Sequence, residues 1–500
     1  MLKSLLTAAA AATAFAGLAL AQESGNGASD IPEPRSWETR GQVTADGERI
    51  RYRVVAGETY LENDDGEPTG AIFSTAYLKE GVEDPRTRPV AFVFNGGPGS
   101  ASLWLHMGVI GPRRVVLPSE PPGDDGAAPF DVRDNPETLL DEADLVFIDP
   151  VGTGWSRALG DTDATEEFWG VNEDAASIAQ FIRRWLAENK RWNSPKYLIG
   201  ESYGTTRIGA LMNQLEGGWN DVSINGVALI SVVLDFKLDH TAEGNDIGYV
   251  GLLPGYAATA WYHNRVDRSA WNGDYDAFLD DARAFSTDVY LPALVRGVTL
   301  PDAQRREVIA RMAALTGLSP VYLDRANMRV SLSEFRTELL RDQGLSVGRF
   351  DSRFTGIEPD GNRTWPEGDP SGYGIDGAYT AAVLDYYTRE LGIDITTPYT
   401  TLGGVREWNW DAGQAGGENS YVNVSPWLER AMRQNRDLRV LAANGIYDLA
   451  TPFFATEMTF NRPGYDQDRV TLTYYPAGHM MYLHQPSIEQ LGRDLRDFVE

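Results

Sequence analysis

The chain has 500 residues, of which 42% are hydrophobic and 13 are Trp, enough for a sizeable core and for two domains or one core with a large insertion. A formal charge of −28 argues against nucleic acid and stable membrane association as partners, because both carry negative surfaces. The absence of cysteine excludes thiol catalysis, iron–sulfur clusters and cysteine-ligated zinc, and leaves stability to packing alone.

The first residues read as an export signal, 1–21. Met1-Leu2-Lys3 is a short positive start, an apolar run follows from Leu5 to Leu20, and Ala19-Leu20-Ala21 is a small-x-small site that predicts cleavage before Gln22. No later stretch approaches 18 consecutive apolar residues, so an exported, periplasmic or secreted protein is expected. Residues 22–40 bear Gly, Ser and Pro and read as a flexible leader.

From about residue 41 to 240 short apolar runs recur: Arg51–Val55, Ala71–Leu78, Val90–Phe94, Leu145–Ile148, Tyr197–Ile199 and Val227–Leu234. Several are continuous β-branched and aromatic runs, the pattern of strands buried on both faces. Glu173–Lys190 predicts an amphipathic helix, with Val171, Ala175, Ile178, Ile182 and Trp185 on one face and Asn172 as its cap. Buried strands alternating with a helix indicate an α/β class with a mostly parallel central sheet. From 241 to 424 strand signals nearly vanish. Helical stretches such as Gln304–Leu315, Leu332–Arg341 and Ala378–Leu391 alternate with Gly-, Asp- and Pro-rich loops, so this segment reads as a mainly helical cap insertion. From 425 the core resumes: a helix opened by Ser425 as cap with Pro426 behind it, strands at Leu438–Ala442 and Val470–Tyr475, and a helix near Ile488–Val499.

Three remote stretches carry chemistry. Tyr197-Leu198-Ile199 enters Gly200-Glu201-Ser202-Tyr203-Gly204, a G-x-S-x-G turn between a strand and a helical run. Asp448 follows the strand at Leu438–Ala442, and His479 follows the strand at Val470–Tyr475. The order Ser, Asp, His is that of the α/β-hydrolase triad. Small residues flank Ser202 because the turn must be sharp, and the helix N-terminus behind it favours a developing anion. A serine hydroxyl needs a neighbouring base, and of five histidines only His479 has this context; His106, His240, His263 and His484 read as structural. Asp448 is expected to hold the imidazole tautomer. Val90–Phe94 runs into Asn95-Gly96-Gly97-Pro98-Gly99. No Gly-Lys-Ser/Thr follows, so the loop does not read as a phosphate loop. It reads instead as an oxyanion loop, with the Gly97 and Tyr203 amides as donors. These residues call for no cofactor and no metal.

Together these motifs resemble the serine carboxypeptidase family. Asn95-Gly96-Gly97-Pro98-Gly99 is similar to its N-G-G-P-G loop, with Gly111-Pro112 beyond. Asp149-Pro150-Val151-Gly152-Thr153-Gly154-Trp155-Ser156 is similar to its D-x-P-x-G-x-G-[FW]-S segment, Glu201-Ser202-Tyr203 to its nucleophile, and Gly478-His479-Met480 to its histidine loop. The resemblance covers roughly residues 45–240 and 430–500, and the insertion matches in position only. It implies an α/β-hydrolase fold and a serine-type carboxypeptidase acting on peptide or protein C-termini, with an esterase or acyltransferase of the same fold as the alternative. It further implies that Asn95, Gly96 and Glu201 bind the substrate carboxylate. Two positions depart from the family: Val93 stands where a tryptophan is usual, and Val109 where a second acid is usual. Lack of the disulfides found in eukaryotic members makes a bacterial exported relative the expectation.

Overall fold

The structure is a computed structural model that describes residues 31–121, 126–216, 218, 221–412 and 421–500. The expected signal at 1–21 lies outside the described residues, as does the first part of the expected leader, residues 22–30. The first strand, β1 (Ser36–Ala45), begins inside the stretch read as leader and pairs antiparallel with β2 (Glu48–Glu62). Its alternating half-buried pattern is that of an edge strand, and its polar half hides the strand signal.

A ten-stranded sheet forms the centre. Beyond β2 its strands are β3 (Pro68–Lys79), β4 (Val90–Phe94), β5 (Asp144–Asp149), β6 (Lys196–Ser202), β7 (Gly226–Val232), β8 (Arg439–Gly445) and β9 (Val470–Tyr475), with Arg157–Ala158 as a short tenth beside β3. The order is β1-β2-β3-β5-β4-β6-β7-β8-β9, antiparallel as far as β5 and parallel from β5 to β9. This bears out the expected α/β class. Every residue of β4, β5 and β7 is buried, because helices and loops cover both faces.

One apolar layer packs Phe92 and Phe94 against α1 (Val171–Glu188) and α2 (Tyr203–Leu215). The other packs Ala91 and Val93 against Tyr379, Tyr386 and the C-terminal helix. Asn172 does not cap α1. Gly170 is the N-cap, and the Val171 amide donates to Asn409 O (3.1 Å), while the Asn172 amide group donates to Asp411 O (3.2 Å). The helix starts before Asn172, which therefore lies inside it, and a remote segment satisfies its first amide. Nor does Ser425 cap its helix. It is the first helical residue, and Asn423 Oδ1 accepts from its amide (3.1 Å) and its hydroxyl (2.7 Å).

Between β7 and β8 the chain is mainly helical, including α3 (Asp246–Tyr262) and α4 (Asp376–Asp385), with one small hairpin, Leu345–Val347 with Thr355–Ile357. Its helices build a third apolar cluster, shared with Tyr447, Leu449 and Phe453 of the resumed core. A strap after α4 returns along the sheet through bridges Thr400–Gly154, Leu402–Ser100 and Asn409–Gly170. No helix among the described residues is long and apolar enough to cross a membrane.

Candidate active site

The Ser202 turn is built by the meeting of β6 and α2. Ser202 ends the strand with φ 60° and ψ −129°, and the helix begins at Tyr203. A non-glycine residue in this region is strained and persists only when its surroundings hold it there. They do. Arg207, wholly buried in α2, pairs with Asp174 of α1 at 2.6 Å and donates to Asn95 O at 2.5 Å. The turn, the neighbouring helix and the glycine loop are thereby tied together. Arg207 is not the partner of Glu201.

The glycine loop lies directly on this turn. A Cβ at Gly96 would meet Glu201 O at 2.7 Å, Gly204 N at 2.8 Å and Tyr203 N closer still. Only glycine allows that approach. Gly97 beside it adopts φ +103°. Asn95 Oδ1 accepts from Leu105 N (3.0 Å), which fixes the side chain and leaves Nδ2 buried without a partner. Gly96→Ala should therefore displace the loop from the Tyr203 amide and lower kcat by about 10²-fold or more, the usual loss for a misplaced oxyanion donor. A steady-state comparison with an uncharged ester, which reports acyl transfer alone, checks this.

Asp448 is 0% exposed and His479 is 4% exposed. Nδ1 of His479 donates to Asp448 Oδ2 at 2.7 Å. Asp448 also accepts from the amides of Ala450 (2.7 Å) and Thr451 (3.0 Å) and from the Thr451 hydroxyl (2.6 Å). Burial disfavours the imidazolium of His479, but the adjacent Asp448 carboxylate outweighs this and raises its pKa. The histidine loop is held from the insertion: the His479 amide donates to Phe350 O (2.5 Å), the Gly478 amide to Asp351 Oδ2 (3.1 Å), and the Phe350 ring lies 5.0 Å from the imidazole.

Asn95, Gly97, Glu201, Ser202 and His479 all line one cavity of about 650 Å³. Arg349, Phe350 and Tyr373 of the insertion form its opposite wall. Ser202 Oγ has no hydrogen bond to His479 among the described residues, and both side chains border this shared space; catalytic contacts are often long before substrate closes them. Glu201 is 4% exposed. Burial pushes its pKa up to about 7, against the pull of nearby His479. Val93 and Val109, the two departures, are fully buried apolar side chains.

The remaining histidines sit elsewhere. His106 stacks on Phe147 at 4.1 Å, bonds the Tyr77 hydroxyl at 2.6 Å, and is held neutral by burial, which lowers its pKa to about 3. His263 donates to Ser352 O at 2.7 Å. His484 bonds Ser487 Oγ at 2.7 Å and meets Glu120 at 2.8 Å. His240 has its ring 5.7 Å from Tyr421. Sequence reasoning missed Thr451, Arg349, Phe350 and Tyr482. Thr451 and Tyr482 stand within three residues of Asp448 and His479 and could have been found by that proximity. Arg349 and Phe350 carry no local signal.

Comparison with known proteins accords with this geometry. Residues 72–278 match the serine carboxypeptidase family model. The match takes in the glycine loop, the Asp149–Ser156 segment and the nucleophile turn, while Asp448 and His479 lie beyond it. Serine carboxypeptidase-like 36 of Arabidopsis thaliana is 22% identical over 435 residues, 85% of this chain and 74% of that protein. Serine carboxypeptidase-like 46 of the same plant is 27% identical over 216 residues, 41% of each chain. Serine carboxypeptidase ctsa-3.1 of Caenorhabditis elegans is 28% identical over 200 residues, 39% of this chain and 31% of that protein. The chain thus spans three-quarters of the first relative and under half of the other two. The crystal structure of Kex1Δp, a prohormone-processing carboxypeptidase of Saccharomyces cerevisiae, covers 89% of this chain and 91% of its own at 14% identity and TM-score 0.49. The sheet order and the strand–Ser202–helix turn are those of the α/β-hydrolase fold, and the chain is similar to serine carboxypeptidases. The relatives named are from a plant and a nematode and lend no support to a bacterial source.

Proposed function

We propose that this chain is a serine-type carboxypeptidase that releases residues from peptide C-termini through an acyl-enzyme on Ser202. The observation that carries this is Glu201: a buried carboxyl, neutral up to about pH 7, beside the nucleophile and sharing its cavity with the unpartnered Asn95 amide. A carboxyl so placed is poor machinery for a neutral ester. It suits a substrate carboxylate, because the protonated acid donates a hydrogen bond that an ionised one would oppose.

In this reading Ser202 Oγ attacks the last peptide carbonyl and His479 Nε2 takes its proton. The Gly97 and Tyr203 amides hold the oxyanion, and His479 returns the proton to the departing amine. Water, deprotonated by His479, then cleaves the acyl-enzyme and frees Ser202. Asp448 keeps the Nδ1 proton in place throughout. Asn95, Gly96 and Glu201 hold the terminal carboxylate, and the segment 241–424 caps the cavity and sets side-chain preference. Residues 1–21 direct export.

The esterase or acyltransferase alternative draws on Val93, which replaces the family's usual tryptophan, and on Val109, which leaves Glu201 without the family's second acid. Paired peptides with free and amidated C-termini separate the two. The free acid should be preferred by about 10²-fold in kcat/KM, the value of charge-assisted hydrogen bonds lost on amidation. Equal rates on both peptides would favour the esterase. The preference should also fade as pH rises through about 7. Glu201 has a raised pKa, so its binding form is present below that value and lost above it. The amide should show no such limb.

A further inference from the structure

The Glu201 carboxyl has a neighbour that the family pattern does not supply. Tyr482 stands on the histidine loop, and its ring packs over Gly108: a Cβ at Gly108 would meet that ring at 2.5 Å. Gly108 therefore admits the ring at the residue next to Val109, where the family usually carries a second acid. The ring is 4% exposed, and its hydroxyl lies beside the Glu201 carboxyl. Asn95 faces the same carboxyl. Asn95 Nδ2, Glu201 Oε2 and Tyr482 Oη are all fully buried; Asn95 and Tyr482 are close enough to the carboxyl to favour its ionised form, but none of the three atoms has a hydrogen bond of full geometry among the described residues. Three such groups converging on one spot are costly unless a ligand satisfies them. With Glu201 protonated, it and Asn95 are donors on the cavity wall that fit an anion, and Tyr482 is a donor to the acid itself.

We propose that Tyr482 is a positioning residue of the carboxylate site and takes over the part of the absent second acid. Its hydroxyl donates to one Glu201 oxygen and turns the proton on the other oxygen towards the terminal carboxylate of the substrate. The substrate is thus gripped by one acid and one amide, with a phenol orienting the acid, rather than by a pair of acids. This rests on the carboxypeptidase reading above. The groups facing Glu201 are His479 and Tyr482 from the histidine loop, Asn95 from the glycine loop and Tyr379 from α4 (Asp376–Asp385), with Asp448 behind His479. Of these His479, the Tyr482 hydroxyl and the Asn95 amide favour the ionised carboxyl, and Asp448 opposes it.

The test is Tyr482→Phe in the full chain, which keeps the ring and removes the hydroxyl. KM and kcat are measured against pH on a free-acid peptide and its amide. KM for the free acid should rise on the order of tenfold, with a smaller change in kcat, and the free-acid preference should narrow by the same factor. The alkaline limb of the free-acid profile should move to higher pH, because the bond that favours ionised Glu201 is gone. Gly108→Ala, which pushes on the ring while sparing the hydroxyl, should narrow the preference in the same direction. An unchanged preference and limb in Tyr482→Phe would overturn the inference, as would equal losses on both peptides, the mark of a packing role. If the unsubstituted protein itself shows no free-acid preference, the carboxypeptidase reading falls and this inference falls with it.

Discussion

Ser202→Ala should lower kcat by about 10⁶-fold, the loss seen when the nucleophile of a serine triad is removed. The chain has no cysteine to stand in, and among the described residues no other hydroxyl occupies a strained strand-to-helix turn on the wall of this cavity. The substitution is also clean. Alanine keeps the Cβ and the backbone at φ 60°, and the Ser202 hydroxyl makes no hydrogen bond whose loss would destabilise the fold. Melting temperature should therefore stay within a degree or two, while labelling by a fluorophosphonate disappears. The glycine loop and the carboxylate site stay in place, so peptide should still bind, with Kd close to the substrate KM where acylation is slow. A variant that kept even a hundredth of the activity would remove Ser202 from the chemistry. Failure of the unsubstituted protein to label would point to a binding protein with a relic site.

How much of this was legible in the sequence depends on whether the constraint was local. The Ser202 turn and the Asn95–Gly99 loop were readable because each leaves a contiguous glycine-bearing motif: Gly200 is demanded by the turn itself, and Gly96 and Gly204 by the close approach of loop and turn. Asp448 and His479 were readable because each follows a short apolar strand, the buried β8 and the partly buried outermost β9, at the strand ends where such groups gather. The two helix caps were misread for the opposite reason. A propensity rule assigns the cap to the nearest polar side chain, but Asn409 O and Asn423 Oδ1 satisfy the amides of Val171 and Ser425. β1 escaped because pairing with β2 overrides the polar half of its sequence. Arg349, Phe350 and Tyr379 reach the site from the insertion, far along the chain, through packing that no periodicity records.

Asp448→Asn should cost about 10⁴-fold in kcat, as it does when a triad histidine loses its tautomer. The geometry gives the reason. Asp448 takes donors from His479 Nδ1, Ala450 N, Thr451 N and Thr451 Oγ1, all within 3.0 Å, on two oxygens. Only a carboxylate accepts at both ends. An asparagine that turns its oxygen to the Ala450 and Thr451 amides must point its NH₂ group at His479. The imidazole then has to accept at Nδ1, which moves its proton to Nε2 and blocks it from taking the Ser202 proton. The opposite rotamer spares the tautomer but sets NH₂ against two amide donors in a site that water does not reach, at about 1–3 kcal/mol for each donor left unpaired. The first arrangement costs less and is the one expected. The variant should therefore fold with a modest drop in melting temperature and lose activity out of proportion to it. It should also lose the rise in His479 pKa, because the neighbouring negative charge is what outweighs burial there. The acid limb of kcat/KM should accordingly shift to lower pH as the rate falls. A variant within tenfold of the original rate, with its acid limb unmoved, would mean that the imidazole is oriented by something other than Asp448.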